Sequence, residues 1–230
     1  IPGMEMDRNL PGPGIHCHHI VTIGPEKARG NGFSQDQRFE SAQITTADEC
    51  QQMLDMLHEN GNMTIYCHPQ WSGVSAREFE GLKGNFAMEI WNSGCAMEDG
   101  VDTNAAYWDE LLAQGQVIYG VATDDGHSMR QHCNGWVRVN SANRVDDILQ
   151  ALKAGAFYSS CGPEIYDFRV EDGQAYIECS PVQRIQFRHF RAPYHLIEGE
   201  DGASVTSGSI KIWEGTGYIR AVVTDEAGRR

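Results

Sequence analysis

Through its first two-thirds, the chain alternates short apolar runs with helical segments, and this alternation restricts the possible folds more than any other feature. Residues 15–24 (IHCHHIVTIG) read as a strand closed at Gly24. A loop rich in Gly, Asn, Ser and Gln follows, to about residue 44. Thr46 and Glu49 have capping-box spacing and open a helix that runs to about His58, with Met53, Leu54 and Leu57 as its apolar face. Residues 63–67 (MTIYC) form a strand that stops at His68-Pro69, because proline has no N–H for the ladder. Ser75 and Glu78 make a second capping box. Strands over 86–91, 117–122 and 136–140 and helices over 103–114 and 143–154 continue the alternation.

After about Pro163 the texture changes. Short alternating runs at 174–179, 184–190, 209–213 and 218–224 are separated by Gly, Asp and Pro turns, with no helical period. The expectation is an α/β domain over residues 1–163 and a small antiparallel β module over 164–230. The 230 residues, 40% of them hydrophobic, suffice for both cores. No run of eighteen apolar residues is present, so no membrane span is expected.

Charge and motifs narrow the function. A net charge of -14 repels phosphate backbones and argues against nucleic-acid binding. A small phosphorylated substrate fits such a chain only where metal ions supply positive charge. There is no GxSxG elbow and no P-loop. Seven scattered cysteines without a CxxC pair read as reduced thiols, which suggests a cytoplasmic setting.

Parallel β/α folds gather ligands at the C-terminal ends of their strands. His68 falls at such an end, and so does Asp124-Asp125-Gly126-His127 after strand 117–122. An imidazole and a carboxylate two residues apart can reach one ion, with Gly126 easing the turn. His16, His18 and His19 fall in the 15–24 run, where a period of two puts His16 and His18 on one face and His19 on the other. Either the pair or His19 alone can serve a single site. Glu5 lies in IPGMEMD, which reads as the end of a strand. His132, His189 and His195 lack a second ligand type nearby.

In order along the chain, IPGMEMD, HHIVTIG, IYCHPQW, MEIWNSG, WDELLAQGQVIYGVATDDGH and ILQALKAGAFYSSCGPEI resemble the PHP (polymerase and histidinol phosphatase) family, in its carbaryl-hydrolase-like branch. The resemblance covers most of residues 1–165 and implies a distorted (β/α)7 TIM-like barrel, here partial, with two or three metal ions at the strand C-termini. It implies that Glu5 bridges metals and that His68, Asp125 and His127 are ligands, with Asp125 matching the ligand rather than Asp124. His19 best matches the remaining imidazole, with His18 and His16 as alternatives. Asp125 and His127 also carry the implied catalytic role, and Asp124 or His132 would act as an outer partner or proton shuttle. The family's N-terminal His-x-His, and the Asp and His after it, have no counterpart before Glu5. About two β/α units are therefore expected upstream in the natural protein; a degenerate relative is the alternative. The last residues also read as a cut strand module.

The implied activity is metal-dependent hydrolysis of a small phosphate ester by Zn²⁺, Mn²⁺ or Fe²⁺. Two alternatives use the same residues. One is hydrolysis of a carbamate, amide or ester; the other is a non-catalytic metal-binding remnant.

Overall fold

The computed structural model describes residues 1–10, 12–25, 46–101, 104–190 and 195–230. Most of the loop expected up to about residue 44 lies outside these, as does Thr103.

Five strands make one mixed sheet in chain order: β1 (Gly3–Asn9), β2 (Cys17–Ile23), β3 (Met63–Tyr66), β4 (Asn85–Asn92) and β5 (Tyr119–Thr123). β1, β2 and β3 pair antiparallel, whereas β3, β4 and β5 pair parallel. The parallel alternation read from the sequence thus holds only for the second half of the sheet. The sheet is open, and no closed barrel forms among the described residues. IPGMEMD is not the end of a strand: β1 begins at Gly3 and runs on to Asn9, with Glu5 opposite Val21. The polar residues after Met6 hide this continuation, which depends on pairing with β2 rather than on local propensity.

Among the described residues, five α-helices accompany the strands: α1 (Ala47–Glu59), α2 (Ala76–Phe79), α3 (Ser93–Asp99), α4 (Asn104–Ala113) and α5 (Val145–Lys153). The Thr46 hydroxyl accepts from Glu49 N–H while the Glu49 carboxylate accepts from Thr46 N–H, so the first capping box forms as expected. The period-3.6 face of α1 buries Cys50, Met53, Leu54 and Leu57 against Met6, Ile20, Tyr66 and Met88 of the sheet. Phe79 of α2 and Leu111 of α4 complete that core. The other sheet face buries Ile65, Cys67, Ala87 and Val121. It is covered by a two-stranded ribbon of β6 (Trp136–Val139) and β7 (Phe157–Ser160), through Val137 and Phe157. α3 and β7 were not expected from the sequence. α3 starts because the Asn92 side chain accepts from Cys95 N–H, and it ends at Gly100 in the left-handed region, φ 68°.

The remaining strands are β8 (Ile165–Glu171), β9 (Gln174–Val182), β10 (Arg184–His189), β11 (His195–Glu198), β12 (Val205–Lys211) and β13 (Ile219–Thr224). They form two antiparallel sheets, ordered β12-β9-β8 and β11-β10-β13. Their separate core contains Ala175, Ile177, Val182, Ile185, Phe187 and Val223.

One polar fork joins this module to α4. Arg220 on β13 donates to both carboxylate oxygens of Asp109 at 2.7 Å, and the Tyr218 hydroxyl donates to the same group at 2.9 Å. The guanidinium also lies 5.3 Å from the Trp108 ring centre. Breaking a buried charge pair costs roughly 3–5 kcal/mol, and Asp109 is only partly buried. Arg220→Met is therefore expected to lower unfolding stability by about 2 kcal/mol. Urea titration checks this, and an unchanged midpoint would show that the fork contributes nothing. Among the described residues, no helix is long and apolar enough to cross a membrane.

Candidate metal centre

The β1–β2 register pairs Asp7 with His19 and Glu5 with Val21, so Glu5 and His19 are diagonal neighbours on one sheet face. His19 Nδ1 lies 2.8 Å from Glu5 Oε1. His68 lies one residue beyond β3, and its Nε2 lies 3.3 Å from the same oxygen. The ring of His68 is held from behind by Ser72 Oγ, 3.2 Å from Nδ1. Trp71 packs edge-on against both imidazoles. One carboxylate oxygen and two imidazole nitrogens thus lie within 4.8 Å of one another.

The clustered histidines differ in their surroundings, and only His19 lies in the group with Glu5 and His68. His18 points to the opposite face, where its Nδ1 lies 2.5 Å from the Tyr66 hydroxyl. His16 pairs with Glu78 at 2.8 Å. Neither joins Glu5.

Asp125 stands beside the three-residue group. Its Oδ2 accepts from Asn92 Nδ2 at 3.0 Å and lies 3.8 Å from His68 Nε2. Its backbone is left-handed, φ 45°. Gly94 is required here, because a Cβ would come 2.6 Å from the Asp125 carbonyl oxygen. His127 is the outlier. Its side chain is 76% exposed at the rim, with Nδ1 3.0 Å from the Asp125 carbonyl oxygen and 4.0 Å from Asp125 Oδ1.

Asp124 is differently engaged from what its position suggested. Its carboxylate accepts the N–H groups of Cys133, Asn134 and Gly135 at 2.6, 2.8 and 2.9 Å. Partial burial opposes its charge, but these three donors outweigh that and hold its pKa down. It clamps the 133–135 loop. His132 packs against Gly126, where a Cβ would come 2.9 Å from its ring.

Two residues that the sequence reading passed over, Glu89 and Asn92, complete the arrangement. Glu89, 3% exposed on β4, accepts from His68 N–H and Asn92 Nδ2 at 2.9 Å and from the Thr123 hydroxyl at 2.7 Å. Burial raises its pKa, against the pull of His68, Asn92 and Thr123. The signal was present in FAMEIW: a lone carboxylate in an otherwise apolar strand must be given donors.

Glu5, His19, His68, Asp125 and His127 line a cleft of about 320 Å³ together with Asp7, Glu98 and Asp99, and among the described residues no lysine or arginine lines it. Hydrogen bonds from His19 and His68 hold the Glu5 carboxyl far below the usual range despite partial burial. Burial opposes charge on His68, but the Glu5 hydrogen bond and the Glu89 and Asp125 charges outweigh it and raise its pKa. A borderline donor set of two imidazoles and a carboxylate in an acidic cleft fits a divalent cation. No protein-family model, curated protein or solved structure matches the chain.

Proposed function

We propose that the chain carries the metal site of a hydrolase acting on small phosphate esters, and that its open sheet is a segment of a distorted (β/α)7 barrel of PHP type. The observation that carries the reading is the convergence of Glu5, His19 and His68 within 4.8 Å, at the end of β3 and beside Asp125. These four residues would hold the ions, with His127 joining from the rim. Bound Zn²⁺, Mn²⁺ or Fe²⁺ would supply an acidified water and neutralise charge on the attacked centre.

The chain's own residues do the rest. Ser72 and Trp71 fix the His68 ring, so its Nε2 faces Glu5 without reorganisation. His127, open to solvent at the rim, would be free to turn toward an ion held beside Asp125. An anionic ester meets Glu5, Asp7, Glu98, Asp99 and Asp125 on entering, so its binding requires the ions first. The phosphate preference itself rests on the resemblance of the motifs to the PHP family. A reducing compartment such as the cytoplasm belongs to the same proposal, since all seven cysteines are free.

Metal content and turnover test it. The chain loaded with Mn²⁺ or Zn²⁺ and then dialysed is expected to retain at least one ion, to bind inorganic phosphate only in that state, and to release phosphate from a panel of esters. Retention of no ion would sink the metal reading. Retention without phosphate release from any ester would sink the phosphoesterase reading alone.

A further inference from the structure

We propose that Glu89 is the positioning residue of this centre: its buried carboxylate sets the aim of both His68 and Asp125 without touching a bound ion. The inference rests on the metal-centre reading above.

Glu89 lies on β4, between β3 and β5 in the sheet. Its Oε2 accepts the backbone N–H of His68 at 2.9 Å, which fixes the residue at the end of β3. The same oxygen accepts from Asn92 Nδ2 at 2.9 Å, and that amide group also donates to Asp125 Oδ2 at 3.0 Å. Its Oε1 accepts from Thr123 at the end of β5 at 2.7 Å. One carboxylate therefore ties three strand ends, two of which lead directly into candidate ligands. Three donors occupy it, and it does not line the cleft, so it is not itself a ligand.

Folding alone does not call for this group. A buried charge is costly, and an apolar side chain of similar volume often stabilises as well or better. Ala87 and Met88 on the same strand are fully buried apolar residues. The carboxylate instead supplies direction. It anchors the His68 backbone, while Ser72 fixes the ring from the other side, so Nε2 has one orientation toward Glu5. Through Asn92 it does the same for Asp125.

The test compares the parent with Glu89→Gln, Glu89→Ala and Asn92→Ser, using Co²⁺ as the probe. Gln keeps an acceptor for His68 N–H and Asn92 and can donate to the Thr123 hydroxyl. Ser at 92 can still cap α3 but is too short to reach Glu89 and Asp125, and it replaces E89A if that variant does not fold. E89Q is expected to bind Co²⁺ within about threefold of the parent, with the same visible absorption bands. E89A and N92S are expected to bind roughly 10–100-fold more weakly, with shifted bands and unchanged far-ultraviolet circular dichroism. A second readout needs no metal. The backbone amide and imidazole resonances of His68 are expected to move in E89A, and the Asp125 resonances in both E89A and N92S. Failure of the parent to take up Co²⁺ would remove the metal reading, and the metal-free resonances would then decide the role of Glu89. Unmoved His68 and Asp125 signals overturn it. So do unchanged Co²⁺ affinity and bands in E89A and N92S, or a loss in E89Q as large as in E89A.

Discussion

A His68→Ala chain is expected to bind Co²⁺ or Zn²⁺ at least about 100-fold more weakly than the parent, whereas His127→Ala is expected to lose roughly tenfold or less. The two histidines entered as equal candidates, and their surroundings separate them. The His68 side chain is 3% exposed and held from two directions, with Nε2 between Glu5 and Asp125. Its donor atom is in place before any ion arrives, so little ordering entropy remains to be lost on binding. His127 is open to solvent, and its ring meets the Asp125 carbonyl of its own turn, so it must reorient to ligate. Isothermal titration of the two variants against the parent, with circular dichroism to confirm folding, measures the difference. A larger loss in His127→Ala than in His68→Ala would mean that the ion sits at the rim, between Asp125 and His127, and not in the Glu5–His19–His68 group.

What the sequence disclosed about this centre follows the range of the interactions that build it. His68-Pro69 was legible because proline ends a strand locally. Both capping boxes were legible because they need only three residues of spacing. The parity of His16, His18 and His19 was also readable, but which parity faces Glu5 depends on the β1–β2 register. That register is set by pairing across a turn and leaves no mark on either segment alone. The choice of Asp125 over Asp124 came from the motif resemblance. The geometry shows a physical difference between them: Asp124 is occupied by the 133–135 backbone, while Asp125 turns toward Asn92 and His68. Glu89 went unread because a strand's apolar average hides one charge, and its donors come from β3, β5 and the Asn92 side chain. The antiparallel half of the sheet was missed for the same reason as the register. Strand direction is a property of the connection between strands, and the composition of 3–23 does not encode it.

Acid is expected to destabilise the chain by about 3 kcal/mol between pH 7 and pH 4 through His18 alone. His18 is 1% exposed, on the sheet face away from the cleft, and burial lowers its pKa from 6.5 to about 4. Glu78 on α2 pulls the value up and His16 pushes it down, but burial dominates. The Tyr66 hydroxyl, 2.5 Å from Nδ1, can accept from or donate to the ring, so burial and not this contact opposes the imidazolium. Below pH 6.5 the unfolded chain takes up a proton that the folded chain refuses, so stability falls with pH until the folded value near 4 is passed. His68 contributes with the opposite sign. Its raised pKa adds stability that is complete below 6.5 and is lost as pH rises through the folded value. Protonation of Glu5 and Asp109, both held low in the fold, removes further stability at the acid end. Comparison with His18→Gln removes these shared contributions, because the variant retains every other titrating group. Urea unfolding from pH 7 to pH 4 is expected to show the parent losing about 3 kcal/mol more than the variant, most of it between pH 6.5 and 4. Parallel curves would mean that His18 takes up its proton as readily in the folded chain as in the unfolded one, and that the Tyr66 contact tolerates the imidazolium.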